Sequence, residues 1–225
     1  MRPSELSEAA SVLSEILWYL SATVPSSSQI GINGAKFKGD IGALQASSAE
    51  QISAGAVGAP LAQCFSDATA AGATFVLMDG ARQNIMAIVT ISPTATLLKY
   101  IALIYSLAQM IAIIGATTYT ARDTVEQLIA YINNAFDTIE EATADAGDSN
   151  VYNAVVSMHA STTQYLLKVA QPLPRIINYQ TGKPLPALVL AQMLYADPTR
   201  ADELVAENHV IAPLFMPTIG VCLSD

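Results

Sequence analysis

The chain has 225 residues, 52% hydrophobic and 13% charged, which is enough apolar material to bury a substantial core and argues against intrinsic disorder of the whole. Its formal net charge is −9, and the ten Lys and Arg residues are scattered singly along it, so the clustered cations that track nucleic-acid phosphates are missing and direct DNA binding is not expected. Ala, Leu, Ile and Val dominate over aromatic residues, so the predicted fold class is mainly α, a helical bundle.

The N-terminal region, residues 1–50, predicts one helix and one loop. Leu6, Leu13 and Leu20 belong to an apolar series at helical spacing, which indicates a helix over residues 4–24. Residues 25–42 contain Pro, several Ser and several Gly, so they predict a loop or mobile connection. These glycines match neither phosphate-loop pattern, so no nucleotide site is expected there.

Residues 51–183 form the predicted apolar helical body. A helical block is expected over residues 60–78, whereas residues 83–91 suit either a strand or a helix that ends at Pro93. Residues 100–121 contain no charged side chain and are long enough to span a membrane. The same segment suits the buried central helix of an assembly, which is favoured because the small-residue-rich stretch 51–80 suits tight contacts between subunits; the membrane span is the alternative.

Two antiparallel helices follow, predicted over residues 120–144 and from Ser149 onward. Residues 145–150, DAGDSN, separate them and predict a turn, because a calcium loop would need a distal bidentate Glu that the next residues do not supply. A linker rich in Pro is expected over residues 171–186, followed by a short helix over residues 187–196 and a C-terminal module over residues 184–225.

The titratable residues predict no catalytic site, no metal site and no cofactor. His159 and His209 lack a neighbouring Cys or an acidic cluster at ligand spacing, so His159 is expected to be a hydrogen-bonded core or interface residue. The adjacent acids Glu140 and Glu141 point in different directions on a helix. Cys64 and Cys222 are expected to be reduced and buried. The chain is therefore not expected to be an enzyme.

The C-terminal segment LPALVLAQMLYADPTRADELVAENHVIAPLFMPTIGVCLSD resembles the C-terminal part of the Mu-like phage DNA circularisation protein family, a set of tail proteins. The resemblance extends more weakly to the preceding helix pair and covers about the last half of the chain. The most specific matches lie in register at Leu185, Pro186, Ala187, Leu194, Tyr195, Asp197, Arg200, Ala201, Asp202, Glu203, Asn208, Pro213, Phe215 and Pro217.

The chain also departs from this family. Gln192 stands where Arg is usual, Ala196 where Gly is usual and Ala212 where His is usual. Nothing before Gln51 resembles the N-terminal domain that gives the family its name. The name therefore does not transfer, and the DNA label fits poorly with the net charge of −9.

The segment YADPTRADELVAENHVIAPLFMP is also similar to a LysM-type module, so the predicted C-terminal module is a small α+β fold. Asp197 or Thr199 is expected to cap a helix that runs to Glu207. Leu204 and Val205 are expected to face inward, and Asn208 to end the helix in a left-handed conformation.

Together the resemblances imply a structural subunit of a contractile phage tail. We expect the protein at the baseplate hub or tube-initiator ring of the virion's tail tip, after synthesis in the host cytoplasm. The expected partners are hub, tail-tube and tape-measure proteins. Copies of the chain are also expected to bind each other in a symmetric ring, a hexamer. The residues expected to bind partners are Tyr195, Asp197, Arg200, Glu203, Asn208, Pro213 and Phe215. The alternatives are a membrane-associated helical protein that uses residues 100–121 and a peptidoglycan-binding module.

Overall fold

The computed structural model describes residues 2–28, 31–145 and 149–224, apart from the side chain of Asp145. Within those residues the chain is mainly helical, with a small antiparallel two-stranded sheet and short helices near the C-terminus, so the predicted fold class is confirmed. The helices are α1 (Pro3–Ser21), α2 (Ile32–Ala46), α3 (Ser48–Ser53), α4 (Gly58–Ala70), α5 (Phe75–Ala87), α6 (Pro93–Ala116), α7 (Arg122–Asp145), α8 (Ser149–Ala170), α9 (Ala187–Tyr195) and α10 (Ala201–Glu207).

The chain forms two compact units. The first, called the body here, comprises Met1–Thr117 and Asn133–Ala160. The second, called the C-terminal unit, comprises Thr118–Ile132 and Ser161–Asp225. Helices α7 and α8 contribute residues to both units.

The body is built around α6, which packs against α1, α4 and α5. The apolar residues of α1 recur at helical spacing, and Leu13, Ile16 and Leu17 are fully buried. On α6, Leu107 and Met110 are fully buried in the same way. Burial of such side chains supplies most of the stabilisation that helices of this length need.

Pro93 begins α6, whereas the sequence analysis expected it to end an element. It occupies the first helical position, where its missing N–H costs nothing. The Ser92 hydroxyl caps the helix by accepting from the Ala95 N–H at 3.3 Å, and the Glu8 carboxylate accepts from the Ile91 N–H at 2.6 Å. That bond, with those from Ser92, holds the pKa of Glu8 below its usual value. Residues 83–87, left open as strand or helix, complete α5.

The loop prediction for residues 25–42 is wrong over α2. Phe37 and Leu44 on this helix are buried, and the Lys36 ammonium lies 2.6 Å from an Asp67 carboxylate oxygen on α4. Because Gly39 and Gly42 sit at exposed positions, packing on the opposite side outweighs their poor helix propensity.

The prediction of one helix over residues 60–78 is also wrong, because the chain turns between α4 and α5. Gly72 adopts a φ of +93°, a conformation that L side chains rarely take. The Thr74 hydroxyl then caps α5 by accepting from the Leu77 N–H at 3.4 Å.

Helix α6 is long and apolar enough to cross a membrane by length and composition alone. Its polar residues are nevertheless satisfied by protein groups: Gln109 accepts from the Thr69 hydroxyl of α4 at 2.8 Å, and Ser106 donates to the Ala102 carbonyl at 2.8 Å. The residues of α6 that are exposed are Pro93, Leu97, Ala112, Gly115 and Ala116. Most of α6 is therefore buried or half-buried inside the body.

Helices α7 and α8 begin and end near the predicted residues. In the body, Glu140 and Asn133 of α7 contact His159 of α8, and in the C-terminal unit Glu126 of α7 lines a cleft with Lys168 of α8. Both arrangements are antiparallel, as expected. The choice between a turn and a calcium loop at residues 145–150 falls mainly on 146–148, which lie outside the described residues.

The C-terminal unit contains the sheet, formed by β1 (Ile176–Gln180) and β2 (Ile219–Leu223) in antiparallel register with Tyr179 opposite Gly220. The linker prediction for residues 171–186 is therefore wrong at Ile176–Gln180. The Asp123 carboxylate of α7 accepts from the Ile176 N–H at 2.7 Å, which fixes the start of β1.

Candidate functional site

The C-terminal module was expected over residues 184–225, but β1 pairs with β2 and belongs to it. The name is therefore used for residues 176–223, which have the order strand, helix, helix, strand. Its two helices pack on each other and α10 packs on β2. The buried residues that form its core are Tyr179, Ala187, Leu190, Ala191, Tyr195, Ala201, Leu204, Met216 and Cys222. This small core positions every residue that the sequence analysis proposed for partner binding.

Tyr195 joins the last turn of α9 to β2. Its hydroxyl oxygen accepts from the Leu223 N–H at 3.1 Å, and burial raises its pKa to about 12. The Arg200 guanidinium lies 3.8 Å from the ring centroid and also bonds the Glu203 carboxylate at 2.8 Å. Because Tyr195 is buried and both charged groups engage neighbours in the module, these three residues form a framework rather than an open contact surface.

Asp197 caps the short 3-10 helix Pro198–Arg200 that leads into α10. Its carboxylate accepts from the Thr199 N–H at 2.9 Å and from the Thr199 hydroxyl at 2.7 Å. These two bonds, the hydroxyl's first, hold the pKa of Asp197 below its usual value. The expectation that Asp197 or Thr199 caps α10 is therefore wrong: Asp197 caps the 3-10 helix, and the N-cap of α10 is Arg200, which makes no side-chain cap hydrogen bond.

Asn208 ties the end of α10 to β2. Its amide nitrogen donates to the Leu204 and Val221 carbonyls at 2.8 and 2.7 Å, and its amide oxygen accepts from the Val221 N–H at 2.8 Å. The left-handed prediction for Asn208 is wrong by one residue: its φ is −97°, whereas His209 has a φ of +51°. The amide must face β2 to bridge it, and the next residue makes the left-handed turn.

Gly220 is a position that the sequence analysis did not identify. A Cβ at Gly220 would lie 2.6 Å from the Tyr179 hydroxyl oxygen and would also clash with the Asn208 amide oxygen. The Tyr179 hydroxyl donates to the Pro217 carbonyl at 3.4 Å. Only glycine fits here because two side chains cross the strand at this point.

The loop before β2 and the start of α9 carry exposed apolar side chains. The Ala187 N–H donates to the Pro213 carbonyl at 2.7 Å and the Met216 N–H donates to the Leu185 carbonyl at 2.9 Å, so the intervening loop is anchored to the start of α9. Phe215 on this loop is 71% exposed. With Phe215, the exposed residues Leu188, Ile211 and Leu214 form what we call the apolar rim.

The structure thus divides the predicted partner-binding residues into two groups. Those that hold the module together are Tyr195, Asp197, Arg200, Glu203 and Asn208, and Pro213 anchors the loop through its carbonyl. Phe215 alone among the seven presents a large exposed apolar side chain. The other rim residues were missed because exposure of a Leu or Ile cannot be read from one sequence.

Both cysteines are free thiols and both are buried, as expected. Burial raises the pKa of Cys64 to about 12, so its thiol is a poor nucleophile at neutral pH. Burial also raises the pKa of Cys222.

An apolar groove of about 300 Å³ lies in the body between α6 and α8, lined by Ile101, Ile104, Tyr105, Val151, Ala154, Val155 and Met158. Small-molecule sites combine such surfaces with a few polar groups that orient the ligand. The Tyr105 hydroxyl is the polar side-chain group in this lining. The groove therefore suits apolar contacts and has no convergent set of catalytic groups.

The body also contains a hydrogen-bonded cluster of side chains around His159. Its Nδ1 lies 2.8 Å from a Glu140 carboxylate oxygen and its Nε2 lies 2.9 Å from the Asn133 amide oxygen, while its ring stacks on Phe136. His159 is hydrogen-bonded, as expected, and half-buried, whereas the expectation that no acidic cluster lies at ligand distance from it is wrong. Asp137 joins this cluster, and ligand atoms of Asp137, Glu140 and His159 all lie within 4.8 Å of one another.

No protein-family model and no curated protein matches this chain. The resemblance to tail proteins stays a prediction.

Proposed function

We propose that this protein is a structural subunit of a contractile phage tail, located at the baseplate hub or tube-initiator ring. The proposal rests on the resemblance of the segment between Leu185 and Pro217 to tail proteins, and on the apolar rim that the same module exposes. Its role is mechanical attachment, and no catalytic residue is part of it.

Several of the residues on which the resemblance to tail proteins rests have a structural role in the module. Tyr195, Asp197 and Asn208 hold the module through hydrogen bonds to its backbone. Pro213 anchors the loop that presents Phe215. A framework that displays one exposed aromatic side chain suits docking onto a neighbouring protein, because large aromatic anchors dominate the energetics of protein interfaces. We assign the rim to contacts with baseplate neighbours.

The body offers a separate apolar surface. The large exposed apolar residues on α1, α5 and α6 and on the connection between α5 and α6 are Trp18, Val76, Leu77, Met86, Val89, Ile91 and Leu97. Of these, Val89 is 86% exposed and Ile91 is 89% exposed. We assign this surface to contacts between copies in a symmetric ring, with a hexamer expected, because exposed apolar surface of this kind marks sites of association.

The experiment separates the two surfaces. Full-length protein is measured by light scattering and negative-stain microscopy, and is used to capture tail-tube, tape-measure and hub proteins produced with it. The double variant Val89→Ser/Ile91→Ser is expected to lose the ring. The double variant Leu214→Ser/Phe215→Ser is expected to keep the ring and lose capture of a hub protein.

The matched control is Ile177→Thr, which changes an exposed apolar residue of β1 outside the rim. It should leave both ring and capture unchanged. A monodisperse monomer that captures no tail protein at micromolar concentration would overturn the proposal.

Helix α6 supports a second candidate, a membrane-associated protein, because its length and composition suit a membrane span. Flotation of the full chain with lipid vesicles tests it. The bond between Gln109 of α6 and Thr69 of α4 favours recovery in the unbound fraction, because it forms only while α6 is packed in the body. Stable flotation would replace the ring proposal with the membrane one.

The resemblance of residues 195–217 to a LysM-type module supports a third candidate, peptidoglycan binding. Sedimentation of the full chain with purified peptidoglycan sacculi tests it. Retention that the Leu214→Ser/Phe215→Ser variant does not reduce would favour a glycan site over a protein-docking rim.

A further inference from the structure

Three groups that suit a transition-metal ion meet on one side of the body. Asp137 and Glu140 are three residues apart on α7, so they lie on the same face of that helix. His159 reaches them from α8, and the candidate ligand atoms lie within 4.8 Å of one another. The side chains of the adjacent residues Glu140 and Glu141 point in different directions, whereas those of Asp137 and Glu140 lie on one face of α7.

The His159 ring is held in a defined orientation. It stacks on Phe136 with ring centroids 4.5 Å apart and an interplanar angle of 5°. Its Nε2 lies 2.9 Å from the Asn133 amide oxygen, which can only accept, so Nε2 carries a hydrogen. Histidines that bind metals almost always donate their other ring N–H to such an acceptor, which fixes the tautomer.

This tautomer leaves two electron pairs facing each other. With its hydrogen on Nε2, a neutral ring presents the Nδ1 lone pair to a Glu140 carboxylate oxygen 2.8 Å away. A neutral ring of this tautomer therefore needs a cation between Nδ1 and the carboxylate, whereas a ring with hydrogens on both nitrogens donates to the carboxylate directly. The cation is either a proton or a metal ion, and Asp137 adds a second carboxylate to which a metal ion, but not a shared proton, would also bind.

We propose that Asp137, Glu140 and His159 bind a divalent transition-metal ion of the Zn²⁺ class through one imidazole nitrogen and two carboxylates. Imidazole favours Zn²⁺ over Mg²⁺, whereas three protein ligands leave a position for water. Bonds of about 2.0–2.2 Å place ligand atoms roughly 3–3.5 Å apart, so Glu140 and His159 separate slightly on binding. The exposed Asp137 side chain has room to approach.

The ion would act as a link between α7 and α8 within the body. Both helices are long, and the residues between them include 146–148, which the structure does not describe. A metal bond across the pair stabilises the folded state because the unfolded chain does not hold the three ligands together. This proposal does not depend on the tail assignment.

The experiment is titration of metal-free, full-length protein with ZnCl₂ at neutral pH, followed by calorimetry. One Zn²⁺ per chain is expected to bind. Each of Asp137→Asn, Glu140→Gln and His159→Gln should weaken binding about tenfold or more, in the range seen when metal-site residues are changed. Mg²⁺ should compete poorly.

The controls are Glu141→Gln, the neighbouring acid on the same helix, and His209→Gln, the other histidine. Both should leave Zn²⁺ affinity unchanged. Circular dichroism checks that each variant folds, and Asp137→Asn keeps the test valid if His159→Gln unfolds, because Asp137 is exposed.

Nitrogen NMR of the His159 ring supplies a second readout. Zn²⁺ should shift the Nδ1 resonance while Nε2 keeps its hydrogen. Zn²⁺ binding that persists in Asp137→Asn and His159→Gln, or the absence of one-to-one binding, would overturn the proposal and assign the cation between His159 and Glu140 to a proton.

Discussion

Helices of the body contact each other mainly through apolar side chains, whereas the C-terminal module relies on side chains that bond its backbone. On α6, Leu107 and Met110 are fully buried among neighbouring helices. In the module, Asn208 and Tyr195 bond backbone groups of β2 at 2.7–3.1 Å. Polar contacts hold the strand that a small core alone would leave weakly fixed.

The difference in size between the body and the module explains why they are stabilised in different ways. A large helical unit buries enough apolar surface to tolerate glycines and polar residues on its outer faces. A module of about 50 residues buries a smaller fraction of its surface and depends more on specific hydrogen bonds. Single polar residues and a single glycine should therefore matter more in the module.

The largest expected effect is a cavity in the body. Leu107→Ala should lower the free energy of unfolding by about 2–5 kcal/mol, because it removes a fully buried side chain and leaves a void. Urea denaturation monitored by circular dichroism measures this change. The control is Leu97→Ala on the same helix, where the side chain is 59% exposed and a change within about 0.5 kcal/mol is expected. Equal losses would contradict the packing of α6 in the body.

In the module, Gly220→Ala should be destabilising by about 1–3 kcal/mol, because the new methyl group must displace Tyr179 or Asn208. Thermal unfolding followed by the near-ultraviolet signal of tyrosine measures it. Gly182→Ala is the matched control, since a Cβ there meets nothing within 4 Å. A neutral Gly220→Ala would show that this contact between β2 and the side chains is loose.

Ala196 ends α9 in a left-handed conformation with a φ of +55°. The tail-protein family that this segment resembles usually has Gly at this position. Ala196→Gly should raise the free energy of unfolding by about 1 kcal/mol, because Gly adopts this conformation without strain. The control Ala206→Gly, in the helical part of α10, should have the opposite sign. Chemical denaturation of both variants measures these free energies of unfolding. A loss of stability in Ala196→Gly would refute the left-handed cap.

In the body, Gly39→Ala should be stabilising by about 0.5–1 kcal/mol, because Gly39 lies in α2 with open space where a Cβ would be. Gly55→Ala is the control in the same unit, and it should be destabilising because Gly55 has a φ of +66°. Urea midpoints measure both. If Gly39→Ala proved neutral or destabilising, residues 32–42 would behave as part of the loop that the sequence predicted over residues 25–42.

The smallest expected effect depends on pH. Thr199 lowers the pKa of Asp197 in the folded state below the unfolded value of about 3.9. The stabilisation is therefore present above that unfolded value and is lost as pH falls through the lower folded value. The difference in Tm between Asp197→Asn and the unchanged chain should be constant near neutral pH and shrink toward zero in acid. A difference that grows in acid would have the wrong sign for this cap.

Several elements were predictable from local pattern because one face of each helix is apolar. Helix α1, helix α7 and the start of α9 at Ala187, directly after Pro186, follow the spacing and the capping signals in the sequence. The predicted end of α10 at Glu207 is confirmed for the same reason. The α+β class of the C-terminal module was expected from its resemblance to a LysM-type module, although the position of β1 was not.

Other elements depended on contacts between distant residues. Residues 32–46 look like a loop by composition, yet Phe37 is buried and Lys36 pairs with Asp67, which is remote in sequence. Strand β1 lies between prolines and forms only because β2, more than forty residues later, supplies its partner. Local propensity is a weak guide wherever such a tertiary contact outweighs it.

The sequence by itself determined the mainly helical class, the acidic charge that argues against nucleic-acid binding, and the run of residues that resembles tail proteins, because composition and spacing are local properties. Only the tertiary structure decided that Asn208 bridges α10 and β2, that Phe215 lies on an exposed rim, and that Asp137, Glu140 and His159 meet. Burial and proximity come from how distant segments pack, and no single stretch of sequence carries that information.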